Sequence, residues 1–260
     1  MLKLVAFCLV FIPIVVIAIG KPNYAESTGS RIIGGKEASI TEYPYQAAVE
    51  INEKFKCGGS IIARRWILTD ATCLWQGYAS PVKVRIGTSF LLEGGQVINV
   101  QGFARHSYYN SYTGDNDIAL LLLEEPIPLS ESAQIVRLPD NGNATLDGRM
   151  GTLTAWGATT KLGSMSSVLR AVDVPVVNLD VCKETYNDSN WRVSDRMLCA
   201  GPWEGGKGMG DGDGGGPFVV DSVLVGIASW SSRDRAEPEH PGVYTDVGAF
   251  RDWITENTGI

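Results

Sequence analysis

The chain has 260 residues, 44% of them hydrophobic and 20% charged, and its formal net charge at pH 7 is −7. This length and hydrophobic content are enough to bury the core of one large domain or two small ones. The acidic balance excludes a nucleic acid or an anionic membrane surface as the partner, because binding either one requires clustered Lys and Arg side chains.

The first twenty residues have the pattern of a signal peptide. Lys3 supplies a basic start, residues 4–19 are almost wholly apolar, and Ala18 and Gly20 are the small residues that signal peptidase prefers. We therefore expect a secreted, extracellular protein with no membrane attachment once residues 1–20 are removed. The alternative is an uncleaved membrane anchor, for which the apolar run is slightly short.

The rest of the chain begins with a short polar stretch, and short runs of alternating apolar residues follow it. Residues 21–31 are polar and lack periodicity, which is typical of a pro-segment. Short runs of alternating apolar residues between turn clusters, together with thirty glycines, predict many short strands. Near the C-terminus Phe250, Trp253 and Ile254 stand at positions i, i+3 and i+4, which predicts a short helix with one apolar stripe.

Five cysteines are present, and one of them, Cys8, is removed with the signal peptide. An even number in an oxidising compartment indicates two disulfides, and the sequence by itself allows three pairings. A metal site is the rival interpretation of the four cysteines. We expect no metal, because the chain has no Cys-x-x-Cys pair and only two histidines. The remaining cysteines are Cys57, Cys73, Cys182 and Cys199.

A series of short motifs, in order along the chain, resembles the trypsin/chymotrypsin-like serine peptidases. The resemblance covers essentially everything after Arg31, and cysteines at the right places make it specific. It implies an all-β fold of two packed six-stranded antiparallel β-barrels with a short C-terminal α-helix, in one domain over residues 32–260. The matching segments are residues 31–35, 44–46, 57–60, 68–73, 116–120, 156–157, 197–201, 212–217 and 241–245.

The resemblance assigns the three positions of the catalytic triad to Thr72, Asp117 and Gly214. In the family these are a histidine that acts as general base, an aspartate that orients it and a nucleophilic serine. A threonine hydroxyl does not accept a proton near neutral pH, and a glycine has no side-chain oxygen to form an acyl-enzyme. Only Asp117 keeps its identity, and neither His106 nor His240 is placed near the cleft. We therefore expect no catalytic residues and a pseudoprotease rather than an enzyme.

The pocket for a substrate side chain also departs from the family pattern. Gly208 stands where an aspartate would hold a Lys or Arg side chain, and Gly210 stands where the family has a disulfide-forming cysteine. Ser231 replaces a glycine whose missing side chain lets a substrate backbone approach. We expect this S1 pocket to be blocked or altered, while the N–H groups of an oxyanion hole remain. The pocket positions are Gly208, Met209, Gly210, Ser229, Trp230, Ser231 and Gly242, and the oxyanion-hole positions are Gly212 and Gly214.

The resemblance further implies a zymogen switch. Cleavage after Arg31 would free the α-ammonium group of Ile32, for which Asp213 is the family's partner. Burial of that ion pair would order the loops around the site, whatever its net effect on stability. The alternative is that Arg31 is not cleaved and the pro-segment stays attached.

The same resemblance chooses among the disulfide pairings. It pairs Cys57 with Cys73 and Cys182 with Cys199. Each bridge closes a loop of about 15 residues, which stabilises the fold by on the order of 3 kcal/mol.

Two further expectations concern ions and glycans. The segment around Thr88 lacks the first acidic residue that a calcium loop of this family needs, so we expect no bound calcium and no cofactor. Asn143 and Asn187 each begin an Asn-x-Ser/Thr triplet and are candidate N-glycosylation sites.

Within the family, the resemblance is nearest to the inactivated peptidase paralogues of parasitic mites such as the scabies mite, relatives of the group 3 mite allergens. It implies a secreted, monomeric, proteolytically inactive protein that binds other proteins, with inhibition of host complement and immune defence as the expected role. Two alternatives stay open. One is a weak hydrolase with an unorthodox nucleophile such as Thr72 or Ser229, and the other is a regulatory cofactor of an active protease cascade.

Overall fold

The computed structural model describes residues 32–74, 81–141, 146–158, 163–187 and 191–260. The predicted signal peptide and pro-segment, including Arg31, lie outside these residues. In the described part, no helix is long and apolar enough to cross a membrane.

Thirteen strands and two α-helices make up the described residues, with 3-10 turns at Thr72–Leu74 and Gly248–Phe250. The helices are α1 (Leu179–Thr185) and α2 (Arg251–Thr258). The strands are β1 (Lys36–Glu37), β2 (Gln46–Ile51), β3 (Lys54–Ala63), β4 (Trp66–Thr69), β5 (Val82–Ile86), β6 (Gln96–Arg105), β7 (Ala119–Leu123), β8 (Met150–Ala155), β9 (Arg170–Val177), β10 (Met197–Ala200), β11 (Pro217–Val220), β12 (Val223–Trp230) and β13 (Gly242–Asp246).

The first barrel consists of six antiparallel strands in the closed order β2, β3, β4, β7, β6, β5. Its strands follow from the alternation of buried and more exposed side chains along the sequence. In β5, Val82, Val84 and Ile86 are buried while Lys83 and Arg85 are partly exposed, because successive side chains of a strand face opposite sides. The aliphatic interior includes Ile61, Ile67, Val84, Leu121 and Leu123.

The second barrel consists of six later strands in the order β8, β9, β10, β13, β12, β11, and the pairing of β8 with β9 closes the ring. Its interior contains Leu153, Val174, Phe218 and Tyr244, and Ile32 joins them. The predicted fold, two six-stranded antiparallel barrels with a short C-terminal helix, is therefore confirmed.

Each end of the described chain crosses to the other barrel. β1 precedes the first barrel but pairs with β9 of the second. α2 follows the second barrel, and Ile254 and the adjoining Phe250 join a buried cluster that contains Leu68 and Leu120 of the first. The apolar stripe predicted from the sequence therefore packs the helix against the first barrel.

Polar contacts fix the two barrels against each other at the cleft. Thr154 Oγ1 of β8 donates a hydrogen bond to Gln46 Oε1 of β2 at 2.6 Å, and both residues are fully buried. The N–H of Gly58 in β3 donates to the carbonyl oxygen of Gly214 at 2.8 Å. The turn that carries Gly214 is thereby held against the first barrel.

Both expected disulfides are confirmed. Cys57–Cys73 joins β3 to the 3-10 turn that carries Thr72, with 5.9 Å between the Cα atoms. Cys182–Cys199 joins α1 to β10, with 6.4 Å between the Cα atoms. The first bridge fixes one wall of the cleft.

Candidate functional site

Asp117 is the centre of the site, just before β7, and the residue is only 2% exposed. Its carboxylate accepts hydrogen bonds from the N–H of Thr72 at 2.8 Å and from Thr72 Oγ1 at 3.1 Å. Ser229 Oγ, on β12, donates to it at 2.6 Å. Thr245 Oγ1 donates to the carbonyl oxygen of Asp117 at 2.7 Å. The structure thus gathers Thr72, Asp117 and Ser229 into one hydrogen-bonded cluster.

Gly214 lies beside a carboxyl group that sequence patterns do not single out. A Cβ atom built on Gly214 would lie 2.9 Å from Asp70 Oδ2. Asp70 follows β4 directly, is only 2% exposed, and accepts a hydrogen bond from Thr69 Oγ1 at 3.3 Å. The space that a side chain at position 214 would enter is therefore taken by Asp70. The available sequence signal is an acidic residue placed immediately after the buried strand Trp66–Thr69.

Asp70 and Asp117 form a pair of buried, interacting carboxyl groups. Burial raises the pKa of Asp70 well above its ordinary value, and the charge of Asp117 raises it further. Burial also raises the pKa of Asp117, but hydrogen bonds from Ser229 and Thr72 oppose that rise. Two nearby carboxyl groups resist double ionisation, and the hydrogen bonds from Ser229 and Thr72 favour the charged form of Asp117 over that of Asp70.

Hydroxyl groups extend this cluster to the surface. Thr72 is exposed, and its Oγ1 lies 2.7 Å from the hydroxyl oxygen of Tyr109. Burial, followed by the charge of Asp117, raises the pKa of Tyr109 to about 12, so this hydroxyl stays protonated. The site therefore offers hydroxyl donors, anchored by one carboxylate, to whatever enters the cleft.

The two histidines of the chain lie elsewhere, and neither hydrogen bonds with Asp117. His106 lies between the rings of Phe250 and Trp253, with ring centroids 5.3 Å away in both cases. His240 faces the ring of Tyr186 at 5.7 Å. No imidazole of this chain is placed as a base for Thr72 or Ser229.

Met209 and Arg235 lie among or next to the positions at which the S1 pocket is expected. Met209 is 3% exposed, and its Cε and Cγ atoms would lie 3.1 and 3.3 Å from a Cβ on Gly242. Arg235 Nη1 donates to Ser231 Oγ at 3.0 Å, and its Nη2 pairs with the carboxylate of Asp211. Met209 thus packs against Gly242, and the guanidinium group of Arg235 links Ser231 to Asp211, a role that sequence patterns do not indicate.

Asp213 is fully buried in the second barrel. Its Oδ1 accepts from the N–H of Gly157 at 2.9 Å and its Oδ2 from the N–H of Gly210 at 2.6 Å. Burial raises its pKa to about 7, against the opposing hydrogen bonds. Ile32 is also fully buried in this barrel, so both expected members of the zymogen switch lie on its side of the cleft.

The expected oxyanion-hole glycines flank Asp213 in the turn before β11. Gly212 has a φ of +87°, a conformation that favours glycine. Gly214 is not in the left-handed region, so its backbone accepts any residue and only Asp70 limits the space.

Trp230, at the end of β12, is covered on the side of the neighbouring loops. It is 6% exposed and makes edge-to-face ring contacts with Tyr186 at 5.0 Å and Trp191 at 5.3 Å. A Cβ on Gly114 would lie 2.7 Å from Trp230 Cδ1, so the loop between β6 and β7 closes over this ring.

The remaining candidate positions concern ions and glycans. Among the described residues, Cys57, Asp70 and Cys73 place metal-ligating atoms within 4.8 Å of one another. The two sulfurs are bonded to each other, so they offer no thiolate and the group does not fit a metal ion. Asn187 is exposed after α1, whereas Asn143 lies outside the described residues.

Comparison with known proteins places the chain among peptidases. A family model described as Trypsin matches residues 32–254. A trypsin of Phaedon cochleariae is 39% identical over 249 residues, 95% of each chain. Trypsin 5G1 of Aedes aegypti is 40% identical over 239 residues, 92% of this chain and 88% of the relative. A vitellin-degrading protease of Bombyx mori is 38% identical over 227 residues, 87% and 85% of the two chains.

These comparisons contradict the prediction that the chain is not an enzyme. The relatives are named as trypsins and a protease, and these names point to an active peptidase. The region matched by the family model includes Thr72, Asp117 and Gly214. The prediction was wrong because it counted only the side chains at two positions of the family pattern.

Proposed function

Since the chain belongs to the trypsin family, we propose that it acts outside the cell by binding an extended segment of a partner protein in the cleft between its barrels. An open strand edge carries this proposal. β12 pairs with β11 up to Ile227, but with β13 up to Trp230. Ala228 still exchanges backbone hydrogen bonds with Gly215 and Gly216, at 2.9 Å each. In the described part, the strand partner of the last two residues of β12, Ser229 and Trp230, is therefore β13 alone. Extended polypeptides add to such an edge through main-chain hydrogen bonds.

The pocket beside this edge favours a short acidic or amide side chain. Met209 is buried against Gly242, which supports a shallow pocket that takes a short side chain. Arg235 links Ser231 to Asp211, and its Nε is buried without a hydrogen-bond partner among the described residues. A buried donor without a partner is costly, and a carboxylate or carbonyl oxygen from the bound segment would satisfy it.

Selection of random peptides on the secreted protein tests this proposal. Ser231→Trp places a large ring at the pocket entrance and is expected to weaken binding of the selected peptides by about tenfold or more, because shape complementarity at the centre is lost. Glu131→Trp, on the exposed loop after β7, is the control with the same added bulk. Unchanged binding to Ser231→Trp would contradict cleft binding.

Peptide-bond hydrolysis is the second candidate, and the names of the relatives favour it. The hydroxyl groups of Thr72 and Ser229 both hydrogen bond with Asp117. A hydroxyl in contact with a carboxylate is the arrangement from which a nucleophile is activated.

A fluorophosphonate probe and a mixed peptide library test this second candidate. The expected result is labelling of Thr72 or Ser229, located by mass spectrometry and lost in Thr72→Val or Ser229→Ala. Absence of both labelling and cleavage above a heat-killed control would rule out peptide-bond hydrolysis.

The resemblance to the mite paralogues extends the binding proposal to a partner in a host defence cascade, bound by a monomer. Complement activity is then expected to fall when the secreted protein is added to host plasma. Acceleration would favour the regulatory cofactor, and no effect on any complement pathway would remove the defence role.

A further inference from the structure

A groove of about 600 Å³ lies between α2 and the loop that joins β6 to β7. Its walls contain none of Thr72, Asp117 and Ser229, so it is separate from the cluster in the cleft. The proposed cleft binding assigns no role to it.

Aromatic rings from both walls line the groove. The ring of His106 lies 5.3 Å from those of Phe250 and Trp253 and 6.0 Å from that of Tyr108. Burial and the nearby charge of Arg196 lower the pKa of His106, so its ring is neutral at neutral pH. Tyr108 is 78% exposed, which leaves part of this aromatic surface open to solvent.

Carboxylates from both walls line the groove as well. Asp252 and Glu256 stand one turn apart on α2, at positions that share a helix face, and both line the groove. A third carboxylate, Asp115, pairs with Arg196 at 2.5 Å and accepts from Ser194 Oγ at 2.7 Å. Within the described residues Arg196 is the cation lining the groove, and Asp115 neutralises it. The groove is therefore acidic overall.

The loop wall is already ordered. The N–H of Gly114 donates to the Asn110 carbonyl at 2.8 Å, and Asn110 and Asp115 form a β-bridge. Asn116 Nδ2 donates to the carbonyl oxygen of Tyr108 at 3.0 Å. A preformed wall lowers the entropy that binding must overcome.

We propose that this groove binds a lysine or arginine side chain of a polypeptide partner. Ammonium and guanidinium groups are attracted to ring faces and to carboxylates, and their aliphatic stems pack on apolar surface. The net charge of −7 steers a basic partner toward the protein. The site thus adds a second contact, outside the cleft, with a defined chemical preference.

Random peptides selected for binding to the full secreted protein test the proposal. Peptides that bind the groove are expected to be rich in Lys and Arg, and their affinity is expected to fall about tenfold or more for the double variant Asp252→Asn/Glu256→Gln. Asp180→Asn/Glu184→Gln removes two carboxylates with the same spacing from α1 and is the matched control. That control is expected to change affinity by less than about twofold.

Two results would overturn the proposal. One is selected peptides without enrichment in basic residues, and the other is equal binding to the wild type and to Asp252→Asn/Glu256→Gln. Circular dichroism checks that the double variant is folded. Because Ser231→Trp blocks the cleft and leaves the groove intact, binding of the basic peptides to that variant separates failure of this proposal from failure of cleft binding.

Discussion

Asp70 and Gly214 are far apart in the chain but share one space in the cleft. With 2.9 Å between Asp70 Oδ2 and the Cβ position of residue 214, a side chain at 214 and this carboxyl group exclude each other. The two residues therefore act as a matched pair, and the effect of replacing one of them on stability depends on which residue occupies the other position.

Gly214→Ser is expected to destabilise the protein by about 1–3 kcal/mol, because the new side chain crowds the buried carboxyl group of Asp70. Adding Asp70→Ala, which removes the obstructing carboxyl, is expected to recover most of that loss. Urea unfolding of the wild type, both single variants and the double variant measures the coupling. A loss from Gly214→Ser that is the same with and without Asp70 would contradict the pairing.

At the scale of elements, the loop after β12 has a strained backbone that side-chain contacts help to hold in place. Arg235 and Ala236 have φ values of 48° and 45°, a left-handed conformation that costs a non-glycine residue about 1–2 kcal/mol. The contacts of Arg235 with Ser231 and Asp211 help to hold this strained loop beside the expected pocket.

Arg235→Ala is expected to open the pocket. Met209→Cys reports this opening, because the thiol is buried in the floor and is expected to react slowly with an exposed-thiol reagent. In Met209→Cys/Arg235→Ala the labelling rate is expected to rise about tenfold or more. Arg233→Ala, at an exposed neighbour, is the control. Equal rates in both double variants would show that Arg235 does not close the pocket.

The helix α1 depends on its N-terminal cap. Asn178 Oδ1 accepts from the N–H groups of Asp180 and Val181 at 3.1 and 3.2 Å. Asn178→Ala is expected to lower the free energy of unfolding by about 1 kcal/mol, since two helix donors lose their partner. Asn178→Ser keeps a capping oxygen and is expected to retain most of the stability. Thermal denaturation compares the two, and an equal loss in both would exclude capping as the cause.

Strand alternation and turn residues act over short stretches of chain, so they predicted many short strands, and the i, i+3, i+4 spacing predicted the C-terminal helix. The arrangement of the strands in two barrels and the disulfide pairing came from the resemblance to the family. The surroundings of the site were not predictable in the same way. Asp70 reaches Gly214, and Arg235 reaches Asp211, only after the chain has folded. The role of each depends on a partner distant in sequence, and no single segment contains that information.

At the scale of the whole molecule, several aspartates are buried and hold their protons unusually tightly. Burial raises the pKa of Asp213 to about 7 and that of Asp246 to about 6, from 3.8 for an ordinary aspartate. Asp70 shifts in the same direction. Between about pH 4 and pH 7 the folded protein therefore binds more protons than the unfolded chain does.

Stability is accordingly expected to fall as the pH rises through this window, by up to about 1.4 kcal/mol per pH unit for each such group. Asp213→Asn is expected to make the pH dependence shallower. The slope with pH is the quantity to compare, because asparagine leaves one N–H near Gly157 or Gly210 without an acceptor. Denaturant unfolding at several pH values measures it, and an unchanged slope would contradict the assignment.

The crossing of the chain ends has a mechanical consequence. β1 is attached to the second barrel and α2 to a cluster shared with the first, so tension between the termini loads these two attachments before it reaches either barrel. A protease that cut the connection between β7 and β8 would leave two fragments that are still joined by the pairing of β1 with β9 and by the packing of α2. The molecule would survive such a nick as a two-piece assembly, held by both terminal attachments and by the polar contacts between the barrels.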